Sequence, residues 1–149
     1  KMIDMSMSET LISFETAKLA KEKGFKEYYN RIYVLDEQKE NDRIGKVHYR
    51  TETYFSNSNH LNKEFVTAPT QSLLQKWLRE KHNIIVNSIP YEDEIPECEG
   101  GERQTLWEDE TIDCREIPWL RDITTHTYYH SYEEALENAL VEGLKLINK

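Results

Sequence analysis

Cys98, Cys114, His126 and His130 are the side chains of this sequence best suited to a soft metal ion, since thiolate and imidazole are the ligands zinc takes. Their spacing argues against a shared site, because no two cysteines lie two to four residues apart. If the strand expected over 123–129 continues to His130, the histidines share a face but stand about 13 Å apart at strand rise. One ion cannot span that gap. The plainer reading is two polar positions facing water on a half-buried strand and two ordinary thiols. A cross-strand disulfide would put its turn near residue 106, well away from the obvious turn at Gly100-Gly101, so free thiols in a reducing cytoplasm fit better, and a bridge through less regular loops stays open.

Two carboxylate triplets, Glu92-Asp93-Glu94 and Glu108-Asp109-Glu110, could offer several oxygens to a hard cation. The D-x-[DN]-x-[DN]-G loop that would organise them is absent. Nothing in the sequence isolates one carboxylate in the way a general acid or base requires. "HTYYHSY", from His126 to Tyr132, gathers His126, Tyr128 and His130 just ahead of a helix whose N-terminus could attract an anion. Read as an alternating strand, it packs its tyrosines and turns its histidines to water. With five glycines, the chain has neither G-x-x-x-x-G-K-[ST] nor G-x-G-x-x-G, and it also lacks H-E-x-x-H and G-x-S-x-G. No cofactor is expected.

Three helices and several strands must position these groups. In "SFETAKLAKEKGF", Ser13 is a fitting N-cap and Gly24 the stop, with Phe25 folding back onto Ala20. "APTQSLLQKWLREKHN" places Pro69 in a first turn, sets Leu73, Leu74, Trp77 and Leu78 on one face, and ends at Asn83. "SYEEALENALVEGLKLI" opens with Ser131 and Glu134 at capping-box spacing, then lays Leu136, Ala139, Leu140, Leu144 and Ile147 along one stripe, with Gly143 permitting close approach. Strands are expected over Tyr28 to Leu35, Ile44 to Phe55, Ile84 to Ile89 (ended by Pro90) and Ile123 to Tyr129, with a poorly patterned one near Thr105 to Ile112. The fold class that follows is α+β, an antiparallel sheet with three helices on one face in the order α-β-β-α-β-(β)-β-α. A disordered segment over 1–12 and a single domain over 13–149 are expected, with an acidic insertion at about 91–119.

That insertion holds eleven acidic and two basic residues, 2 − 11 = −9, which equals the formal charge of the whole chain. The remainder is balanced, with 17 residues of each sign (28 − 11 and 19 − 2). Such a balance disfavours direct binding of nucleic acid or an anionic membrane, and no apolar run approaches a membrane span. The opening "KMIDMSMSETLISF" lacks the basic-then-apolar pattern of a secretory leader. Trp107 and Trp119 lie inside the acidic stretch, either pinning it to the body or anchoring a binding surface.

"ISFETAKLAKEKGF", "APTQSLLQKWLREKHNI" and "SYEEALENALVEGLKLI" resemble small, uncharacterised proteins encoded by phages and prophages of gut Bacteroidota. The resemblance covers the three helices and leaves the middle hairpin and the acidic stretch uncovered. It implies a mobile-element origin and the cytoplasm of a bacterial host, and it implies no reaction. The expectation is a non-catalytic accessory protein that engages a host or phage macromolecule, a protein partner with a basic surface, through the acidic stretch. Glu92, Asp93, Glu94, Trp107, Glu108, Asp109, Glu110, Trp119, His126, Tyr128 and His130 are its candidate binding residues. Two other classes stay open: a protein that sequesters a nucleotide, and a hydrolase using His126 or His130 with a distant carboxylate.

Overall fold

Ser13 starts the first helix. Its hydroxyl accepts from the Thr16 backbone N–H at 3.2 Å, and α1 runs over Phe14–Glu22. At the other end Gly24 takes a left-handed φ of 96°. The Phe25 N–H bonds the Ala20 carbonyl at 2.9 Å and the Gly24 N–H bonds that of Lys21 at 3.1 Å, the paired closure that a left-handed glycine permits. Phe25 and Ala20 are both buried, as the sequence led one to expect.

The computed structural model describes residues 9–27, 29–35, 49–53, 66–91, 105–115, 121–125 and 127–148. By contacts the chain divides into two compact units, Lys1–Leu73 and Leu74–Asn148. The fold is α+β, with three helices and two small antiparallel sheets. One sheet was expected. Two form because the β1–β2 hairpin finds its third strand locally, in two residues just ahead of the second helix.

In the first unit β1 (Arg31–Leu35) lies between β2 (Tyr49–Thr53) and β3 (Val66–Thr67), both antiparallel to it. Its Ile32 and Val34 are buried and alternate with half-buried Arg31 and Tyr33. Phe14 of α1 stacks on Tyr49 with ring centroids 3.7 Å apart and meets Tyr33 edge-on at 5.6 Å. Residues 1–8 of the expected disordered segment lie outside the described residues. Leu11 bridges Thr70, and Ile12 is fully buried with its N–H on the Pro69 carbonyl at 3.0 Å, so ordered chain begins before Ser13.

The second helix, α2, spans Gln71–His82. Pro69 is not in its first turn: Thr70 caps the helix by accepting from the Leu73 N–H at 3.2 Å, which leaves Pro69 outside. Leu74, Trp77 and Leu78 are buried, Leu73 is half-buried, and Asn83 ends the helix at φ 53°.

In the second unit β4 (Ile84–Tyr91) pairs with β5 (Leu106–Asp113) from Ile84↔Asp113 to Tyr91↔Leu106. Pro90 does not end β4. The strand is at an edge of the sheet, where a residue without an N–H is tolerated. On its other side β5 pairs with two short strands, β6 (Arg121–Asp122) and β7 (Tyr128–Tyr129). The expected continuous strand over Ile123 to Tyr129 is therefore broken. Six positions separate Asp122 from Tyr128, but their partners Ile112 and Glu108 are four apart, so two extra residues are looped out between the strands. The poorly patterned stretch near Thr105 is the central strand.

The third helix, α3 (Tyr132–Lys145), is capped by Ser131, whose hydroxyl accepts from the Glu134 N–H at 3.1 Å. Leu136, Ala139, Leu140, Leu144 and Ile147 are all buried. Each buried leucine contributes roughly 1.5–3 kcal/mol, so this stripe outweighs anything helix propensity supplies. An added Cβ on Gly143 would sit 2.9 Å from Val86 Cγ1 and 3.2 Å from Leu78 Cδ1, which fits the expected close approach. Arg115 ties the end of β5 to the end of α3, pairing with Asp113 through Nε and NH2 at 2.8 and 2.7 Å and donating to the Leu146 carbonyl at 2.7 Å. Among the described residues no helix is long and apolar enough to cross a membrane.

Candidate functional site

Strand alternation sorts the acidic residues of β5 onto two faces with different fates. Toward α3 point Asp109, Thr111 and Asp113, all buried, opposite Ser88, Val86 and Ile84 of β4. Away from α3 lie Leu106, Glu108, Glu110 and Ile112, each at intermediate exposure. The stretch expected to be a surface insertion thus supplies part of the core from 106 to 113.

Asp109 is the centre of the inner face, with 0% of its surface exposed. Its Oδ1 accepts from the Thr125 hydroxyl at 2.8 Å, and Oδ2 from the Asn138 amide at 3.1 Å and the Thr125 N–H at 3.5 Å. All of these donors are neutral. A buried carboxylate needs such bonds to offset its lost hydration. The looped-out residues between β6 and β7 supply Thr125, so the bulge serves the carboxylate. Thr125 also shares a hydroxyl–hydroxyl bond with Thr127 at 3.1 Å. The Tyr129 phenol is pushed above its ordinary pKa of 10 by burial and then by the charge of Asp109; hydrogen bonds with the Thr127 and Thr125 hydroxyls pull it back, and Glu142 adds a smaller push upward. Ser88, directly opposite Asp109, keeps a buried hydroxyl with no hydrogen-bond partner among the described residues.

The outer face is different in kind. Tyr128 is 44% exposed and pairs in register with Glu108. Its ring lies on that of Tyr91 with centroids 4.0 Å apart and planes tilted by 35°. Two positions along, Glu110 accepts from the Asn87 amide at 2.9 Å across the β4–β5 ladder. Aromatic and acidic side chains therefore share the half-exposed outer face of the sheet.

Of the residues singled out in the sequence, Glu108, Glu110 and Tyr128 are brought together here. Trp107 and Asp109 are turned to the opposite side. Trp107 meets Tyr132 edge-on at 5.3 Å, which pins that end of β5 to the start of α3. Asp109, being buried, cannot touch a docking partner directly. His130 is exposed just ahead of the α3 cap. Glu92, Asp93, Glu94, Trp119 and His126 lie outside the described residues, as does Cys98. Cys114 is a free, half-buried thiol whose Sγ is 3.9 Å from the Ile112 carbonyl. Among the described residues no three His, Cys, Asp or Glu are grouped so as to hold a metal ion.

Sequence reasoning missed Tyr91, Thr125, Tyr129 and Asn138. Tyr91 was legible in part: with the strand extended through Pro90, alternation from Ile85 puts it on the outer face. Asn138 carried a weaker signal, an amide that with Glu137 interrupts the apolar residues of "ALENAL". No protein-family model, no curated protein and no solved structure matches this chain.

Proposed function

We propose that this chain is a non-catalytic accessory protein that binds a macromolecular partner bearing a basic surface, through the outer face of its second sheet. The observation that carries this reading is the sharing of one half-exposed face by Glu108, Glu110, Tyr91 and Tyr128. Interfaces concentrate their energy in aromatic anchors, and a patch of one charge sign accelerates encounter with the opposite one. The formal charge of −9 supplies the long-range part of that attraction. On this reading the partner is met in the cytoplasm of a bacterial host, which is what the resemblance of the three helices to small phage-encoded proteins implies.

The test uses short labelled peptides rich in arginine and lysine, titrated into the full chain by fluorescence anisotropy at several salt concentrations. Binding should weaken as salt rises, and the double variant Glu108→Gln/Glu110→Gln should lose about tenfold in affinity with a shallower salt dependence. Binding unaffected by the double variant would remove this face from the reading.

A further inference from the structure

β2 forms one edge of the first sheet. The Ala68 N–H bonds the Arg31 carbonyl at 2.8 Å, so the backbone of Arg31, Tyr33 and Leu35 faces β3 and that of Ile32 and Val34 faces β2. Arg50 and Glu52 are the partners of Val34 and Ile32, which turns the N–H and C=O groups of Tyr49, Thr51 and Thr53 away from the sheet. Four of the five residues of β2 are exposed, and its register with β1 has no bulge. The other edges are blunted. β3, β6 and β7 have two residues each, while β4 carries Pro90 and has its Val86 carbonyl taken by the Gln75 amide at 2.7 Å. β2 has neither a proline nor a net charge, since Arg50 and Glu52 cancel. It is also held in shape: Arg31 donates to the Thr51 and Thr53 hydroxyls at 2.8 and 3.3 Å, and Phe14 stacks on Tyr49.

We infer that β2 pairs antiparallel with β2 of a second copy of this chain, about a twofold axis at Thr51, joining two three-stranded sheets into one. The axis sets Thr51 opposite Thr51, and Tyr49 opposite Thr53, of the second copy. Such pairs exchange both backbone bonds, so each outward donor of the edge gains an acceptor. Arg50 then stands opposite Glu52 of the second copy, and Glu52 opposite its Arg50. These are non-hydrogen-bonded pairs, whose Cβ atoms lie about 5 Å apart. Arg50 keeps its 2.6 Å contact with Glu52 along the strand, and the neighbours across the axis complete a ring of alternating charge. This complementarity is what names the occupant. Moving the axis to Arg50 or to Glu52 sets like charges opposite each other, so the charges also fix the register. The contact is independent of the acidic outer face of the second sheet.

The experiment is analytical ultracentrifugation of the full chain from about 10 µM to about 1 mM, at physiological salt, where the mutual repulsion of two acidic chains is screened. A monomer–dimer equilibrium with Kd on the order of 100 µM is expected, because paired strands of five residues make a small interface. Thr51→Pro removes an N–H that points away from β1, and should weaken the dimer at least about tenfold with the far-UV circular dichroism unchanged. Arg50→Glu and Glu52→Arg each set like charges across the axis, and each should abolish self-association. Glu52→Arg lowers the net negative charge, so general repulsion between copies would predict the opposite for it. Mixed in equal amounts, the two charge variants should form a heterodimer within about threefold of the parent affinity. Monomer at every concentration overturns the inference. A dimer that withstands Thr51→Pro overturns it too, since the pairing then lies elsewhere. Charge variants that fail to complement each other on mixing overturn the register on which it stands.

Discussion

Asn138 on α3 and Asp109 on β5, twenty-nine residues apart in sequence, are joined by a 3.1 Å hydrogen bond from the amide to the carboxylate. With Thr125 they form a polar node that couples helix, central strand and bulge. The sheet face beneath α3 is thereby divided, apolar around Val86 and Gly143 and polar around Asp109.

The node should be energetically connected. Asp109→Ala leaves the Thr125 and Asn138 donors without their acceptor and should cost about 3 kcal/mol, and Asn138→Ala about 1–2 kcal/mol. Urea denaturation of both single variants and the double should reveal a coupling of at least about 0.5 kcal/mol. Strict additivity would show that the 3.1 Å bond contributes nothing measurable.

Stability should fall in strongly alkaline solution through Tyr129. Its folded-state pKa lies above the ordinary value of 10, so below pH 10 both folded and unfolded chains hold the proton and the contribution is complete. As pH rises further the unfolded chain releases its proton first, and stability is lost up to the folded-state pKa. Tyr129→Phe should flatten that decline. Asp109→Asn should bring the phenol's titration, followed by phenolate absorbance, closer to 10, because it removes the second-largest cause of the shift.

Gly143→Ala tests the contact between α3 and β4. Alanine gains about 1 kcal/mol of helix propensity, but its Cβ would meet Val86 Cγ1 at 2.9 Å, and overpacking costs about 1–3 kcal/mol. Net destabilisation of roughly 1 kcal/mol is expected from thermal or urea unfolding. On a Val86→Ala background the clash is relieved, and the same substitution should become neutral or stabilising.

Arg115 should matter more than a surface ion pair usually does, because it joins a carboxylate to a helix C-terminus. Arg115→Ala should cost about 1–2 kcal/mol by urea denaturation. Arg115→Lys should recover only part of this, since one ammonium cannot reproduce the two bonds to Asp113 and the third to the Leu146 carbonyl.

The helices were legible because their signals are local. Ser13, Gly24, Asn83 and Ser131 each act on backbone within a few residues, and the α3 stripe repeats every three to four. β5 was not legible, because its pattern inverts the usual code: its inward positions are Asp109, Thr111 and Asp113, while Leu106 and Ile112 face outward. Polar residues pack inward there only because Thr125, Asn138, Arg115 and the Ala139 carbonyl, which accepts from the Thr111 hydroxyl at 3.3 Å, receive them. Those partners come from other elements, so no window of sequence around β5 contains the reason. The candidate face was half legible for the same cause. The triplet Glu108-Asp109-Glu110 drew attention to the place, but alternation splits it, two carboxylates outward and one inward.

The break between β6 and β7 bears on how this face could change over time. Side chains on a strand take sides by odd and even position, and a loop-out of two residues keeps that parity intact. Asp122 and Tyr128 consequently stay on the same side, as their partners Ile112 and Glu108 do. A deletion of one residue between Ile123 and Thr127 would exchange the roles of Tyr128 and Tyr129, turning the exposed ring inward and the Asp109-facing phenol out. Length changes here are tolerable in pairs and disruptive singly, so the spacing of this segment is as much a determinant of the outer face as the identity of the tyrosine on it.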